Sequence, residues 1–239
     1  MADLPILFSA PMVRSLIAGT KTQTRRTFGK LRRFGPIHQF DISDTPGYAW
    51  HFRDASGRFH DLRGGELLKY LPYKVGDRLY VREHWKADRS HDDVAPRDLE
   101  PGLRPLWYSA GYLMDTGNQK FWSDKSGADY DASVTRGKHR QGMHMPKWAS
   151  RITLIVEGVK VERLNDCSDE DATAEGIERF GNGWRDYQDD GCNMMHAVGS
   201  YMTLWENING LGSWNANPWV VAYTFRRIMG NIDMIEAAA

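Results

Sequence analysis

The sequence predicts an α+β chain, a small mixed or antiparallel β-barrel with short helices appended. Three observations predict it. Strand-like segments are short and are interrupted by brief helical ones. The two most hydrophobic strand candidates, ITLIVEGVKVERL and WVVAYTFRR, both come late in the chain. Two long stretches, at about 28–74 and 86–145, are rich in turn residues and lack a sustained period. With 239 residues, against a soft prior of about 150 per domain, the simplest organisation is one domain over 1–239 enlarged by those two insertions.

Each element has its own reason. Ile6, Leu7 and Phe8 form a short apolar run, and Ser9 stands where a helix N-cap belongs. Pro11 falls in the first helical turn, where its missing N–H costs little. Met12, Val13, Leu16 and Ile17 follow helical spacing, and Gly19 is the expected left-handed stop. The chain then enters GTKTQTRRT, residues 19–27, which is Thr-rich and therefore β-prone. In a regular strand Thr24 and Arg26 would share a face, whereas Lys21 and Thr24 would not; only a bend or bulge brings those two together.

The 28–74 insertion holds one expected hairpin, around Tyr48 to Phe59. After a Val75-Gly76-Asp77 turn, a strand from Arg78 to Trp85 puts Leu79, Val81, Glu83 and Trp85 on one face. A carboxylate on that face means either that Glu83 meets a cation in a cleft or that the strand stops before it. The 86–145 stretch reads as irregular, and loops of that length in compact domains are usually functional or mobile. Residues 150–164 give the most regular strand signal, with a bend or bulge expected at Gly158. Ser168 and Asp171 resemble a capping box opening a helix from Asp169 to Glu175, which Gly176 stops. A longer amphipathic helix, about Ala197 to Ile208, presents Val198, Tyr201, Leu204, Trp205 and Ile208. The last strand is Trp219 to Arg227, and no internal repeat is visible.

Composition narrows the function classes. Lys plus Arg and Asp plus Glu are 31 each, so the net charge is zero, which argues against a uniformly basic nucleic-acid coat. No apolar run approaches the roughly 20 residues that span a bilayer, and no basic region precedes the first apolar stretch, so neither a membrane partner nor a signal peptide is expected. Two cysteines, Cys167 and Cys192, are too few for a disulfide framework, which favours a cytoplasmic location. Neutrality hides an asymmetry. From Leu4 to Phe40 there are seven basic residues (Arg14, Lys21, Arg25, Arg26, Lys30, Arg32, Arg33) and no acidic one, whereas ten carboxylates crowd 165–207.

Several familiar chemistries lack their signatures. The chain has no GxxxxGK[ST], GxGxxG or GxSxG. His139 and His144 are five apart, a spacing that fits no common zinc site, and there is no CxxC, so neither a metal nor another cofactor is expected.

At GTKTQTRR the sequence resembles the ASCH family, small proteins with a PUA-like β-barrel. The family pattern G-x-K-T-x-T-x-R falls on Gly19, Lys21, Thr22, Thr24 and Arg26. Three companions follow in order: VGDRLYV at 75–81, the strand ITLIVEGVKVERL, and the short acidic helix SDEDATAEG ending at Glu175 and Gly176. Together they cover under half of the chain. The approach MPKWASRI and the ending NPWVVAYTF look similar to phage and prophage members. One ASCH branch hydrolyses the exocyclic amide of N4-acetylcytidine and related N4-acylated cytosine nucleosides with a Lys, a Thr and a Glu, so the resemblance implies Lys21, Thr24 and Glu175 as the catalytic set.

Amide hydrolysis needs a nucleophile, a proton acceptor and a stabiliser of the oxyanion. Thr24 offers the hydroxyl. Lys21 could take its proton if its pKa is lowered; otherwise Glu175 would be the base and Lys21 the stabiliser. Arg26, Thr22, Arg25 and Glu83 are the candidate substrate-binding residues, Arg26 holding a base carbonyl or a phosphate. The alternative is a non-catalytic PUA-like module for RNA or single-stranded nucleic acid. It would set the Arg14–Arg33 cluster on phosphates and tryptophans such as Trp85, Trp107, Trp122 or Trp148 against bases. A ribonuclease ranks lower, since no convincing His pair is spaced for it. The two insertions are the segments expected to shape substrate choice.

Overall fold

A computed structural model describes residues 2–103, 106–115, 120–123 and 136–235, with 112–115 and 120–123 described through their backbone. In chain order the elements begin with β1 (Asp3–Leu7), α1 (Ala10–Ala18), β2 (Gln23–Thr27), β3 (Lys30–Leu31), β4 (Gly35–Ile42), β5 (Trp50–Asp54) and β6 (Phe59–Leu62). They continue with α2 (Leu67–Tyr70), β7 (Arg78–Arg82), β8 (Trp85–Lys86), β9 (Leu106–Tyr108), β10 (Tyr112–Asp115) and β11 (Lys120–Ser123). The rest are β12 (Ile152–Arg163), α3 (Asp169–Ala174), β13 (Arg179–Phe180), β14 (Gly183–Arg185), β15 (Asn193–Met194), α4 (Ala197–Asn209) and β16 (Trp219–Met229). The chain is α+β, mostly strands in open sheets with few helices. It divides into two compact units, one of Met1–Gly19, Asp77–Ile155 and Arg226–Ala239, the other of Thr20–Gly76 and Val156–Phe225.

In the first unit β1 runs parallel to β7, with Ile6 opposite Val81, and β7 pairs antiparallel with the start of β12, Leu79 opposite Leu154. These four side chains are buried, as are Val13 and Leu16 of α1. Gly19 ends α1 at φ 85°, as its position predicts, while Ser9 caps through its backbone, its carbonyl accepting from Val13 N–H at 2.9 Å. The described residues of the 86–145 stretch hold more regular structure than the sequence suggests. They contribute a four-stranded sheet in the order β11-β10-β9-β8 over a core of Trp85, Leu99, Leu106, Tyr108 and Met145. Strands of two to four residues are too short to impose a readable period.

In the second unit β16 pairs antiparallel with β2, Thr24 opposite Tyr223 and Arg26 opposite Val221. Thr24 and Arg26 therefore share one face, and Gln23 and Arg25, opposite Thr224 and Ala222, share the other. β12 reaches β16 at Gly158, where an added Cβ would stand 3.3 Å from the Thr224 Cβ, so the predicted bend is also a close approach of two strands. The 28–74 insertion builds the sheet β3-β4-β5-β6. The predicted hairpin is β5–β6, tightened by the Asp54 carboxylate, which accepts from Ser56 and Arg58 N–H at 2.9 and 3.0 Å.

Helix α4 forms where amphipathicity predicts, but its buried side includes Ser200 and Thr203 while Ile208 is exposed. Those two hydroxyls are bonded, Ser200 Oγ donating to Arg185 O and Thr203 Oγ1 accepting from Tyr187 N–H. A bonded hydroxyl can be buried where hydropathy alone would put it in water. The three-stranded sheet β13-β14-β15 was not anticipated from the sequence. Among the described residues no helix is long and apolar enough to cross a membrane.

Candidate active site

Lys21 precedes β2 rather than lying within it, so strand parity does not govern it. Its place is set by the end of α3. The six-residue helix is opened by the predicted capping box: Ser168 Oγ accepts from Asp171 N–H at 3.1 Å and Asp171 Oδ2 accepts from Ser168 N–H at 3.3 Å. Gly176 follows at φ 81° and lets the chain leave sharply. The last carbonyls of a helix need outside donors, and GTKTQT supplies them. Thr22 N–H donates to Ala174 O at 2.8 Å, and Lys21 Nζ donates to Glu175 O at 2.7 Å. On the other side Thr22 O accepts from Phe225 N–H at 2.9 Å, which pins the segment to the start of β2–β16 pairing.

Held in this way, Lys21 is 1% exposed, and its ammonium also meets Glu175 Oε2 at 2.8 Å. Glu175 Oε1 lies 3.3 Å from Arg25 Nη1. Arg25 is buried and fans across its surroundings: Nε donates to Glu162 Oε1 at 2.9 Å, Nη1 donates to Gln23 Oε1 at 2.6 Å, and Nη2 stands 3.0 Å from Asp171 Oδ2. The Tyr201 phenol is buried nearby, and burial together with the Glu175 charge pushes its pKa well above the ordinary value. Cys167 packs beside this cluster, and burial pushes its thiol up to about 12, so it stays protonated.

Burial pushes the Lys21 amine below its ordinary value. The charge and hydrogen bond of Glu175 oppose that shift, and Arg26 and Arg25 reinforce it. The lysine is thus an amine whose protonated form is disfavoured despite its carboxylate neighbour. Asp171 is held below its usual range, because Arg25 and the capping hydrogen bond outweigh its burial.

The structure therefore joins Lys21, Glu175 and Arg25 directly. Thr24 is buried on the neighbouring strand, sharing a face with Arg26 as parity predicts, and its hydroxyl makes no hydrogen bond among the described residues. Arg26 is half-buried and acts on Lys21 by charge. The Thr22 side chain is exposed while its backbone N–H and C=O are both engaged.

Glu83 lies in the other unit. Its strand stops at Arg82, and its carboxylate is gripped by Arg151 at 2.8 and 3.0 Å, both side chains 1% exposed. Trp85 and Trp107 are buried in core, Trp148 is partly buried against the Trp85 cluster, and Trp122 falls outside the residues with described side chains.

Sequence reasoning missed Glu162 and Tyr201. Glu162 had one signal, a carboxylate late in the long strand; Tyr201 was read as core and is core, with the Glu175 charge acting on its phenol. His139 bonds His84, at 2.8 Å, rather than His144. Among the described residues no three His, Cys, Asp or Glu side chains are grouped to hold a metal. An open pocket of about 390 Å³ lies in the second unit, lined by Asp169, Glu170, Met195 and His196 around the starts of α3 and α4 and by Trp184 of β14. Comparison with family models, with curated proteins and with solved structures finds no match to this chain.

Proposed function

We propose that the chain is an ASCH-type protein with a PUA-like barrel, and that it hydrolyses the N4-acyl amide of N4-acetylcytidine and related N4-acylated cytosine nucleosides. The observation that carries the reading is the buried Lys21–Glu175 pair, whose lysine is driven toward its neutral form. The motif segments also stand in the family's order along the fold, as α1 into β2, then β7, β12 and α3.

Glu175 O and Oε2 both accept from Lys21 Nζ, and in its neutral form the amine carries a lone pair besides its N–H donors. In the proposed reaction that lone pair removes the Thr24 hydroxyl proton as Thr24 Oγ1 bonds to the acyl carbon. Lys21 then returns the proton to N4 as the amide C–N bond breaks and the amino nucleoside leaves. Water hydrolyses the Thr24 ester, releasing the carboxylate and restoring the hydroxyl. A Lys21–Thr24 hydrogen bond would form with substrate, as such catalytic bonds often do. Arg26, on the Thr24 face, stabilises the oxyanion.

The test is cytidine release from N4-acetylcytidine and bulkier N4-acyl analogues, with and without a chelator. Release that resists chelation and collapses in Thr24→Ala and Glu175→Ala is the expected result. No release from any analogue by folded protein would overturn the reading in favour of nucleic-acid binding. That alternative shows itself as oligonucleotide affinity falling steeply with salt.

A further inference from the structure

We propose that His84 and His139, in the first unit, form a bidentate site for a divalent transition-metal ion that takes square-planar nitrogen ligation, copper(II) above all. The proposal is independent of the hydrolase reading.

The two histidines are 55 positions apart and face each other, with His84 Nδ1 standing 2.8 Å from His139 Nε2. The ring centroids are 4.7 Å apart and the planes are inclined by 52°. Backbone pairing puts them there. β7 ends at Arg82 and β8 begins at Trp85, so His84 lies in the joint between the strands, and its carbonyl accepts from Ser109 N–H at 2.9 Å. The 136–140 segment runs antiparallel beside it. Trp85 and Arg140 exchange N–H to C=O bonds of 3.1 and 2.9 Å, and Gly137 N–H donates to Ala87 O at 2.9 Å. Only a glycine fits at 137, since an added Cβ would stand 2.8 Å from Ala87 O. The residues next to each histidine are anchored as well. Arg151 grips the Glu83 carboxylate, and Arg140 donates to Val94 O and His91 O at 2.9 and 2.6 Å. The rings themselves stay within reach of solvent, His84 half-buried and His139 exposed.

Two neutral imidazoles in this contact have one nitrogen donating and the other accepting. A metal ion takes both lone pairs instead. The ring that was the donor moves its proton to its other nitrogen through solvent, so neither ring changes charge. Metal–imidazole bonds of about 2.0 Å set two nitrogens about 2.8 Å apart when they meet at a right angle and about 3.3 Å apart at the tetrahedral angle. The observed 2.8 Å matches the edge of a square plane, the geometry of copper(II) and nickel(II), rather than the tetrahedral edge of zinc. Copper(II) also binds nitrogen donors most tightly of the three. Among the described residues no set of three His, Cys, Asp or Glu side chains is grouped to hold a metal, so the remaining positions of the plane fall to water or to an outside ligand.

The experiment titrates the full chain with copper(II), nickel(II) or zinc(II) by calorimetry and records the electron paramagnetic resonance spectrum of the copper(II) samples. The expected result is one tightly bound copper(II) whose spectrum shows splitting from two nitrogens, with copper(II) and nickel(II) both bound more tightly than zinc(II). His139→Gln, a change at an exposed side chain, lowers the copper(II) affinity by about a hundredfold, because the second arm of a chelate binds at high effective concentration. His84→Gln does the same, and His144→Gln, at an exposed histidine outside the pair, leaves the affinity at its wild-type value. Unchanged copper(II) affinity in folded His139→Gln overturns the proposal, whether or not His84→Gln folds. Zinc(II) bound as tightly as copper(II) overturns the square-planar assignment and the proposal with it.

Discussion

Each unit of this protein buries a glutamate against an arginine, and the two arrangements have different chemical capacities. In the first, Glu83 and Arg151 form a forked pair in which both carboxylate oxygens are gripped, and the guanidinium lies over the Tyr108 ring at 4.1 Å. Burial raises the Glu83 pKa against the opposing charge of Arg151. Arginine cannot lose its proton at any accessible pH, so this pair is a fixed strut. In the second, Glu175 divides its oxygens between Arg25 and Lys21. Lysine shifts its pKa readily when desolvated, and Lys21 is shifted downward. On the proposed hydrolase reading, what separates the two is not burial of a carboxylate but a partner able to give up its proton.

Breaking the strut has the largest expected effect. Arg151→Met leaves the Glu83 charge buried without its counter-ion and is expected to cost about 3–5 kcal/mol in urea unfolding. The double variant Glu83→Leu, Arg151→Met recovers most of that loss. In the Lys21 cluster the outcome differs, because Glu175 keeps Arg25. Lys21→Met is expected to lie within about 1 kcal/mol of wild type, or above it, by the same measurement. A loss as large as that of Arg151→Met would make Lys21 a second strut and erase the contrast.

A smaller effect follows from the capping box. Ser168→Ala is expected to cost about 1 kcal/mol, and because Asp171 also reaches Arg25 it lowers turnover a few-fold; unfolding and turnover measured together check both. The smallest effect is a slope. Lys21 has a folded-state pKa below its unfolded 10.5, so between the two values the unfolded chain binds more protons. Stability therefore rises with pH through that window. The urea midpoint of wild type should climb relative to Lys21→Met as pH rises toward 10.5; parallel curves would contradict the lowered lysine.

Sequence reasoning reached the parts of this picture that depend on local chemistry. The capping box, the stops at Gly19 and Gly176, and the shared face of Thr24 and Arg26 all follow from residue type and spacing over a few positions. The odd Lys21–Thr24 spacing posed a problem only for a lysine inside the strand, and β2 begins two residues later. Non-local contacts were beyond it. Nothing near Glu83 in sequence announces Arg151, 68 positions away, and nothing near Arg25 announces Glu162 or Tyr201. The insertions were underestimated because strands such as Trp85–Lys86 and Lys30–Leu31 are shorter than any readable period.

The most direct test of the contrast is turnover of N4-acetylcytidine by wild type, Lys21→Met and the Glu83→Leu, Arg151→Met double variant, each shown to be folded. The account predicts a loss of about a hundred- to ten-thousandfold in kcat for Lys21→Met and wild-type turnover for the double variant. Equal turnover in wild type and Lys21→Met would contradict it.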